Sequence, residues 1–197
     1  SNMGTTMFGS VDNPEVYCTL YEKHHLEYKL HIDGAYGGFV YPFSNPQSPL
    51  NFSNPKISSI TIDAHKMLQS PYGTGIFICR KGLIENVLTK EAEYVEGMDL
   101  TLCGSRSGSN AVAVWMILFA YGPHGWFEKV SVLQMRTQFL CYELDQLNIP
   151  YFREPYMNIV TIDAKNINHA LAERFDLVPQ QHNSENKWYK IVLMDHV

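Results

Sequence analysis

A lysine placed where an apolar strand runs out is the first group in this chain with the means to do chemistry. Residues 60–75 read Ile-Thr-Ile-Asp-Ala-His-Lys-Met-Leu-Gln-Ser-Pro-Tyr-Gly-Thr-Gly, a β-branched run leading into Asp63, His65 and Lys66. Desolvation disfavours the charged form of an amine. One use for such an amine is as a nucleophile that forms a Schiff base with a carbonyl compound. A second strand-like run, Tyr28-Lys29-Leu30-His31-Ile32-Asp33, ends in a carboxylate followed by Gly34 and Ala35. Those two small residues leave room for a flat ring beside Asp33. A lysine amine, with a carboxylate to keep a pyridine nitrogen protonated, is what pyridoxal 5'-phosphate requires.

Each residue also has a blander role. Lys66 could be a solvated surface lysine, Asp33 a cap for the following turn, His65 an interior histidine and Thr6 a turn residue. His31 shares a strand face with Asp33 but lies two residues further from the strand end, which makes it a structural neighbour. The same strand ends also admit a rival. His31, Asp33, Asp63 and His65 could gather two imidazoles and two carboxylates around a metal, as in a metal-dependent hydrolase. That reading leaves Lys66 and the Gly-rich residues 72–75 without a role, and no metal is expected. A third option is a non-catalytic protein that only dimerises.

Four blocks carry a family resemblance. They are Gly4-Thr5-Thr6 with Gly9-Ser10-Val11-Asp12; residues 31–43, His-Ile-Asp-Gly-Ala-Tyr-Gly-Gly-Phe-Val-Tyr-Pro-Phe; residues 59–67, Ser-Ile-Thr-Ile-Asp-Ala-His-Lys-Met; and residues 101–108, Thr-Leu-Cys-Gly-Ser-Arg-Ser-Gly, running on to Tyr121-Gly122-Pro123-His124-Gly125-Trp126. In order and spacing, over residues 4 to about 151, the chain resembles the pyridoxal phosphate-dependent group II amino acid decarboxylases. The tyrosine/aspartate type is most similar, with sphingosine-phosphate lyase as a cousin. The resemblance implies a fold type I α/β enzyme that converts an L-amino acid of the tyrosine, aspartate or glutamate class to its amine and CO2. It places Lys66 in the Schiff base, Asp33 on the pyridine nitrogen, Ala35 under the ring, His65 at the phosphate and Thr6 near the cofactor hydroxyl and substrate carboxylate. Tyr94, in a polar stretch, corresponds to a loop tyrosine that protonates the carbanion, a role a phenol fills in a closed, dry site. Arg106 is a candidate for substrate binding, since a guanidinium suits carboxylates. Carbon–carbon lyase and desulfurase chemistry on the same fold are the alternatives, and a homodimer is implied.

Family members run to roughly twice this length. The chain therefore reads as a fragment lacking the amino-terminal half, with the phosphate-binding segment and a ring-stacking histidine. Ser1-Asn2 reads as a cloning remnant. Residues 1–148 are expected to form a partial large domain with a bridging helix, and 149–197 a truncated small domain. The isolated fragment is expected to be inactive.

The elements that must position these groups follow from patterning. Helices are predicted over 14–28, 81–88, 106–147 with a break at Gly122-Pro123, and 166–175. Strands are predicted over 28–33, 58–63, 74–80, 158–164 and 188–194, and residues 34–54, with three prolines, as surface loop. Alternation of strand and helix indicates α/β architecture. The outer strands of the first sheet are expected to be bare edges, and Trp115, Phe119 and Trp126 to be core. A net charge of −5 and a pI near 5.9 argue against nucleic acid as a partner. Residues 111–121, the longest apolar stretch, are too few to span a bilayer. Four widely separated cysteines suggest neither zinc nor a disulfide frame, and unpaired thiols fit a reducing, cytoplasmic setting.

Overall fold

The computed structural model describes residues 1–87, 104–182 and 185–196. Asn13 caps the first helix, α1 (Pro14–Lys23), by accepting the Glu15 N–H, and Pro14 occupies the first turn. The helix stops five residues short of its predicted end, because the chain turns through His24 and the left-handed His25 (φ 52°).

Strand β1 (Leu30–Asp33) then pairs in parallel with β2 (Ile57–Asp63), and β2 pairs antiparallel with β3 (Gly75–Cys79). Connection length decides these directions. A parallel return needs a dozen or more residues; residues 34–56 suffice, whereas the shorter link from Asp63 to Gly75 turns the chain straight back. Leu30, Ile32, Ile57 and Ile60 form one core with Met3, Cys18 and Leu50. The opposite face carries His31, Asp33, Ser59 and Thr61.

Residues 34–54 are more ordered than their composition suggests. A 3₁₀ turn (Gly37–Phe39) and a short helix, α2 (Tyr41–Ser44), bury Val40 completely and pack on the long helix. Four apolar or aromatic residues, 39–41 and 43, outweigh the prolines there. The β1 edge is not bare either. Asn2 bridges to Asp33, with the Asp33 N–H donating to Ser1 O and Met3 N–H to Asp33 O, both at 2.8 Å. Among the described residues β3 has no outer neighbour, and Phe77 and Ile78 stand exposed.

Helix α3 (Gly108–Gln146) is two helices joined at Gly122, whose φ of 58° and ψ of 179° interrupt it before Pro123. Beyond the break, Trp126, Val130, Leu133, Thr137, Cys141 and Leu144 are buried. Their spacing of three and four is one helical stripe. It joins three apolar clusters in turn: with Ala64 and Leu68, with Val40, Met67 and Met157, and with Val160, Ile162 and Leu193. Trp126 is core as expected. Trp115 and Phe119 are not; they stack on each other, 61% and 77% exposed, because the first half of α3 turns Val114 and Ile117 instead toward Ala64 and Leu68.

A second, antiparallel sheet follows in the order β4 (Tyr151–Phe152), β5 (Ile159–Asp163), β7 (Glu185–Val192), β6 (Val178–His182), with α4 (His169–Arg174) between β5 and β6. Neither β4 nor β6 was anticipated from sequence. One is two residues long, and the other contains Pro179 and three polar residues. Val160 and Ile162 turn toward α3, while Ile159 and Thr161 turn the opposite way.

Candidate active site

The two sheets meet along a cleft of about 520 Å³. On one side stand Asp33, Ala35, Tyr36 and Lys66, on the other Ile159, Lys190, Val192 and Met194, and Asn2, Gly4, Thr5 and Thr6 close one end. Asp33 ends β1, where its Oδ1 accepts the Ala35 N–H at 3.0 Å, so the carboxylate caps its own turn while facing the cleft. Lys66 follows β2 on a turn closed by its own N–H donating to Asp63 O. Its ammonium lies 2.8 Å from the Asp63 carboxylate, and its side chain is 40% exposed. Four residues from three separate sequence blocks, Thr6, Asp33, Ala35 and Lys66, thus line one cavity.

His65 is not among the lining residues. Its Nδ1 lies 2.9 Å from Thr74 O, its ring rests near Tyr72, and its Nε2 is 3.9 Å from Asp63. His31 sits beside Ser59 Oγ (2.8 Å) and Thr61 Oγ1 (3.3 Å), over Phe77. Burial lowers its pKa, against the pull of Asp33, so it is a neutral neighbour at pH 7. Among the described residues, no group of three or more His, Cys, Asp or Glu side chains converges to hold a metal. Arg106 is exposed just before α3 and does not line the cleft. Tyr94 lies outside the described residues.

Sequence reasoning missed the far wall. Lys190 donates to Thr6 O at 2.9 Å, and burial lowers its pKa below the ordinary lysine value. Tyr36 donates to Asn158 Oδ1 at 2.9 Å, and Asn158, fully buried, donates on to Leu193 O at 2.8 Å. Burial raises the Tyr36 pKa, so the phenol remains a neutral donor. The signal for Lys190 was a relative of the one used for Lys66: a lysine within an apolar strand rather than at its end, here Trp188-Tyr189-Lys190-Ile191-Val192.

An amine, a carboxylate and a small-residue floor in one cleft between two unequal sheets are what the resemblance to fold type I pyridoxal phosphate proteins implies. The chain matches the model of the "Pyridoxal-dependent decarboxylase conserved domain" over residues 1–152 and belongs to that family. It is 59% identical over its full 197 residues to a tryptophan decarboxylase of Clostridium sporogenes, covering 47% of that protein. It is 37% identical over 175 residues to a probable L-tyrosine/L-aspartate decarboxylase of Methanocella arvoryzae, which covers 87% of this chain and 46% of the relative. The chain thus spans about half the length of the curated relatives it matches. Among solved structures, a sphingosine-1-phosphate lyase of Burkholderia pseudomallei superposes with a TM-score of 0.83 at 18% identity, over 98% of this chain and 46% of that one. Family membership makes pyridoxal phosphate the cofactor. Lys66, Asp33, Ala35 and Thr6 fit the ring end of that group in donor chemistry and in space.

Proposed function

We propose that this chain is part of an enzyme that decarboxylates an L-amino acid, an aromatic one, tryptophan foremost, to its amine and CO2. The convergence of Thr6, Asp33, Ala35 and Lys66 on one cleft carries the reading, and the substrate class is suggested by the 59% identity to a tryptophan decarboxylase. The apolar wall of Ile159, Val192 and Met194 suits such a side chain. The family model and the decarboxylase relatives favour this chemistry over the carbon–carbon lyase and desulfurase alternatives.

The bound cofactor supplies an electron sink for the pair left when CO2 departs. Lys66 would hold the cofactor through its amine, which the ion pair with Asp63 orients. Asp33, its rotamer fixed by the Ala35 N–H, would stabilise a protonated pyridine nitrogen by charge. Ala35 leaves room for the ring. Lys190 offers a substrate carboxylate a cation in a partly desolvated setting, where it counts for more than in water. Thr6 fixes Lys190 through its carbonyl. His65 is retained as the phosphate ligand and Tyr94 as the proton donor on the strength of the family resemblance, and Arg106 as a lesser candidate for the substrate.

Residues 1–148 form the partial cofactor domain with its bridging helix, and 149–197 the start of a small domain; the two separate sheets support this division. The protein works as a homodimer in the cytoplasm. The exposed row Val112, Trp115, Met116 and Phe119 supports association. Among the described residues no helix is long and apolar enough to cross a membrane. Since the chain spans about half the length of the curated relatives it matches, the 197-residue chain alone is expected to bind the cofactor weakly and to be inactive.

Borohydride reduction of the whole protein in the presence of pyridoxal phosphate, followed by peptide mapping, tests the reading. The label is expected on Lys66, and Lys66→Ala is expected to lose both the label and CO2 release from L-tryptophan. A label on Lys190 instead, or one surviving in Lys66→Ala, would overturn it.

A further inference from the structure

We infer that Phe8, Phe152 and Trp188 form an aromatic clasp that holds the loop bearing Thr5 and Thr6 against the small sheet, so that Trp188 is a positioning residue for the cleft. The inference rests on the cleft being the substrate site.

The loop is closed on itself. Gly4 and Thr5 N–H both donate to Ser10 O, Gly9 N–H donates to Thr5 O, and Ser10 N–H to Thr5 Oγ1. What seats this closed unit on the sheet is a short set of contacts. Phe8 meets Phe152 and Trp188 edge-to-face, each at 5.7 Å between centroids, with interplanar angles of 83° and 78°. Offset and perpendicular ring pairs are favoured orientations, so two at once fix the Phe8 ring in direction as well as depth. Gly9 presses so close to the sheet that a Cβ there would stand 3.2 Å from the Ile159 Cβ.

Register ties the clasp to the cleft. Phe152 and Lys190 flank Thr161 on its two neighbouring strands, and Trp188 lies two residues before Lys190, hence on the same face of β7. Thr6 likewise lies two residues before Phe8. The Lys190–Thr6 hydrogen bond at 2.9 Å and the ring cluster are therefore two adjacent rivets between the same loop and the same strand. One is polar and lines the cleft, and the other is aromatic and lies beside it. Loosening the second lets Thr6 and Lys190 drift relative to Lys66 on the opposite wall. Groups that grip the substrate equally in ground and transition states act on KM rather than kcat.

The test compares wild type with Trp188→Leu and Trp188→Phe as holoenzymes, and follows chymotryptic cleavage after Phe8. Trp188→Leu is expected to raise KM for L-tryptophan about tenfold with kcat within about twofold, and to speed cleavage after Phe8 about fivefold or more by freeing the loop. Trp188→Phe, which keeps a ring, is expected to restore both. Should Trp188→Leu fail to fold, Phe152→Leu, at a residue 39% exposed, carries the same comparison. Unchanged cleavage after Phe8, or a lowered thermal midpoint with KM intact, would overturn the clasp. If the wild type decarboxylates no amino acid, the reading of the cleft fails separately, and cleavage still decides whether the clasp exists.

Discussion

The wall of the cleft that carries Asp33, Ala35 and Lys66 and the wall that carries Ile159, Lys190 and Val192 are positioned by different means. On the first wall each functional group follows a strand end and is fixed by hydrogen bonds within its own turn, as Ala35 N–H fixes Asp33. On the second the groups sit within strands and are aimed by alternation alone. Their partners are far off in sequence: Lys190 reaches Thr6 across 184 residues, and Asn158, next to Ile159, reaches Tyr36 across 122. The two lysines make the contrast sharpest. Lys66 has a carboxylate three residues away, while Lys190 has a backbone carbonyl and a burial-depressed pKa. In the proposed function, the locally fixed groups serve the chemistry, and the groups fixed at long range hold the substrate and the two sheets together.

If that contrast is right, damage to the first wall should strike turnover. Asp33→Asn is expected to lower kcat by roughly 10²–10³, the scale for losing one preorganised electrostatic group, with the unfolding midpoint little changed. Equal losses in yield and activity would make Asp33 merely a turn cap. Damage to the second wall should strike binding. Lys190→Met is expected to raise KM by roughly 10–100-fold, the scale of a hydrogen bond to a charged group, leaving cofactor attachment at Lys66 intact. A kcat effect as large as the KM effect would erase the distinction between the walls.

The seam between the sheets should respond in stability. Asn158→Leu strands the part-buried Tyr36 hydroxyl and is expected to cost about 1–3 kcal/mol in urea unfolding. Adding Tyr36→Phe should recover part of that loss. Additive losses in the double variant would mean that the Tyr36–Asn158 bond contributes nothing to the seam.

The smallest effect expected is a pH dependence. Burial lowers the Lys190 pKa from 10.5, so between its folded value and 10.5 the unfolded chain binds the proton more tightly. Stability then rises with pH across that alkaline window, and Lys190→Gln should flatten the rise. An unchanged slope in the variant would show that Lys190 is no more desolvated folded than unfolded.

Some of this was legible in the chain from the start. Lys66 and Asp33 announced themselves because a charged residue at the end of a β-branched run breaks a short-range pattern. Strands β1, β2, β3, β5 and β7 were placed within a few residues for the same reason, and the break in α3 was visible in Gly122-Pro123. Strand β4 was not, since two residues show no periodicity. The buried Val40 was missed because Pro42, Pro46 and Pro49 just after it suggested an exposed loop.

Sequence by itself determined which residues could do chemistry and which segments were helix or strand, since both depend on side-chain type and on periods of two and of about 3.6 residues. Tertiary structure alone decided that Lys190, Val192 and Met194 face Lys66, that the amino-terminal residues cover the β1 edge, and that Trp115 stays exposed where Trp126 is buried. Each of these depends on which surfaces meet. The packing of two sheets on one kinked helix settles that, and no local window of sequence contains it.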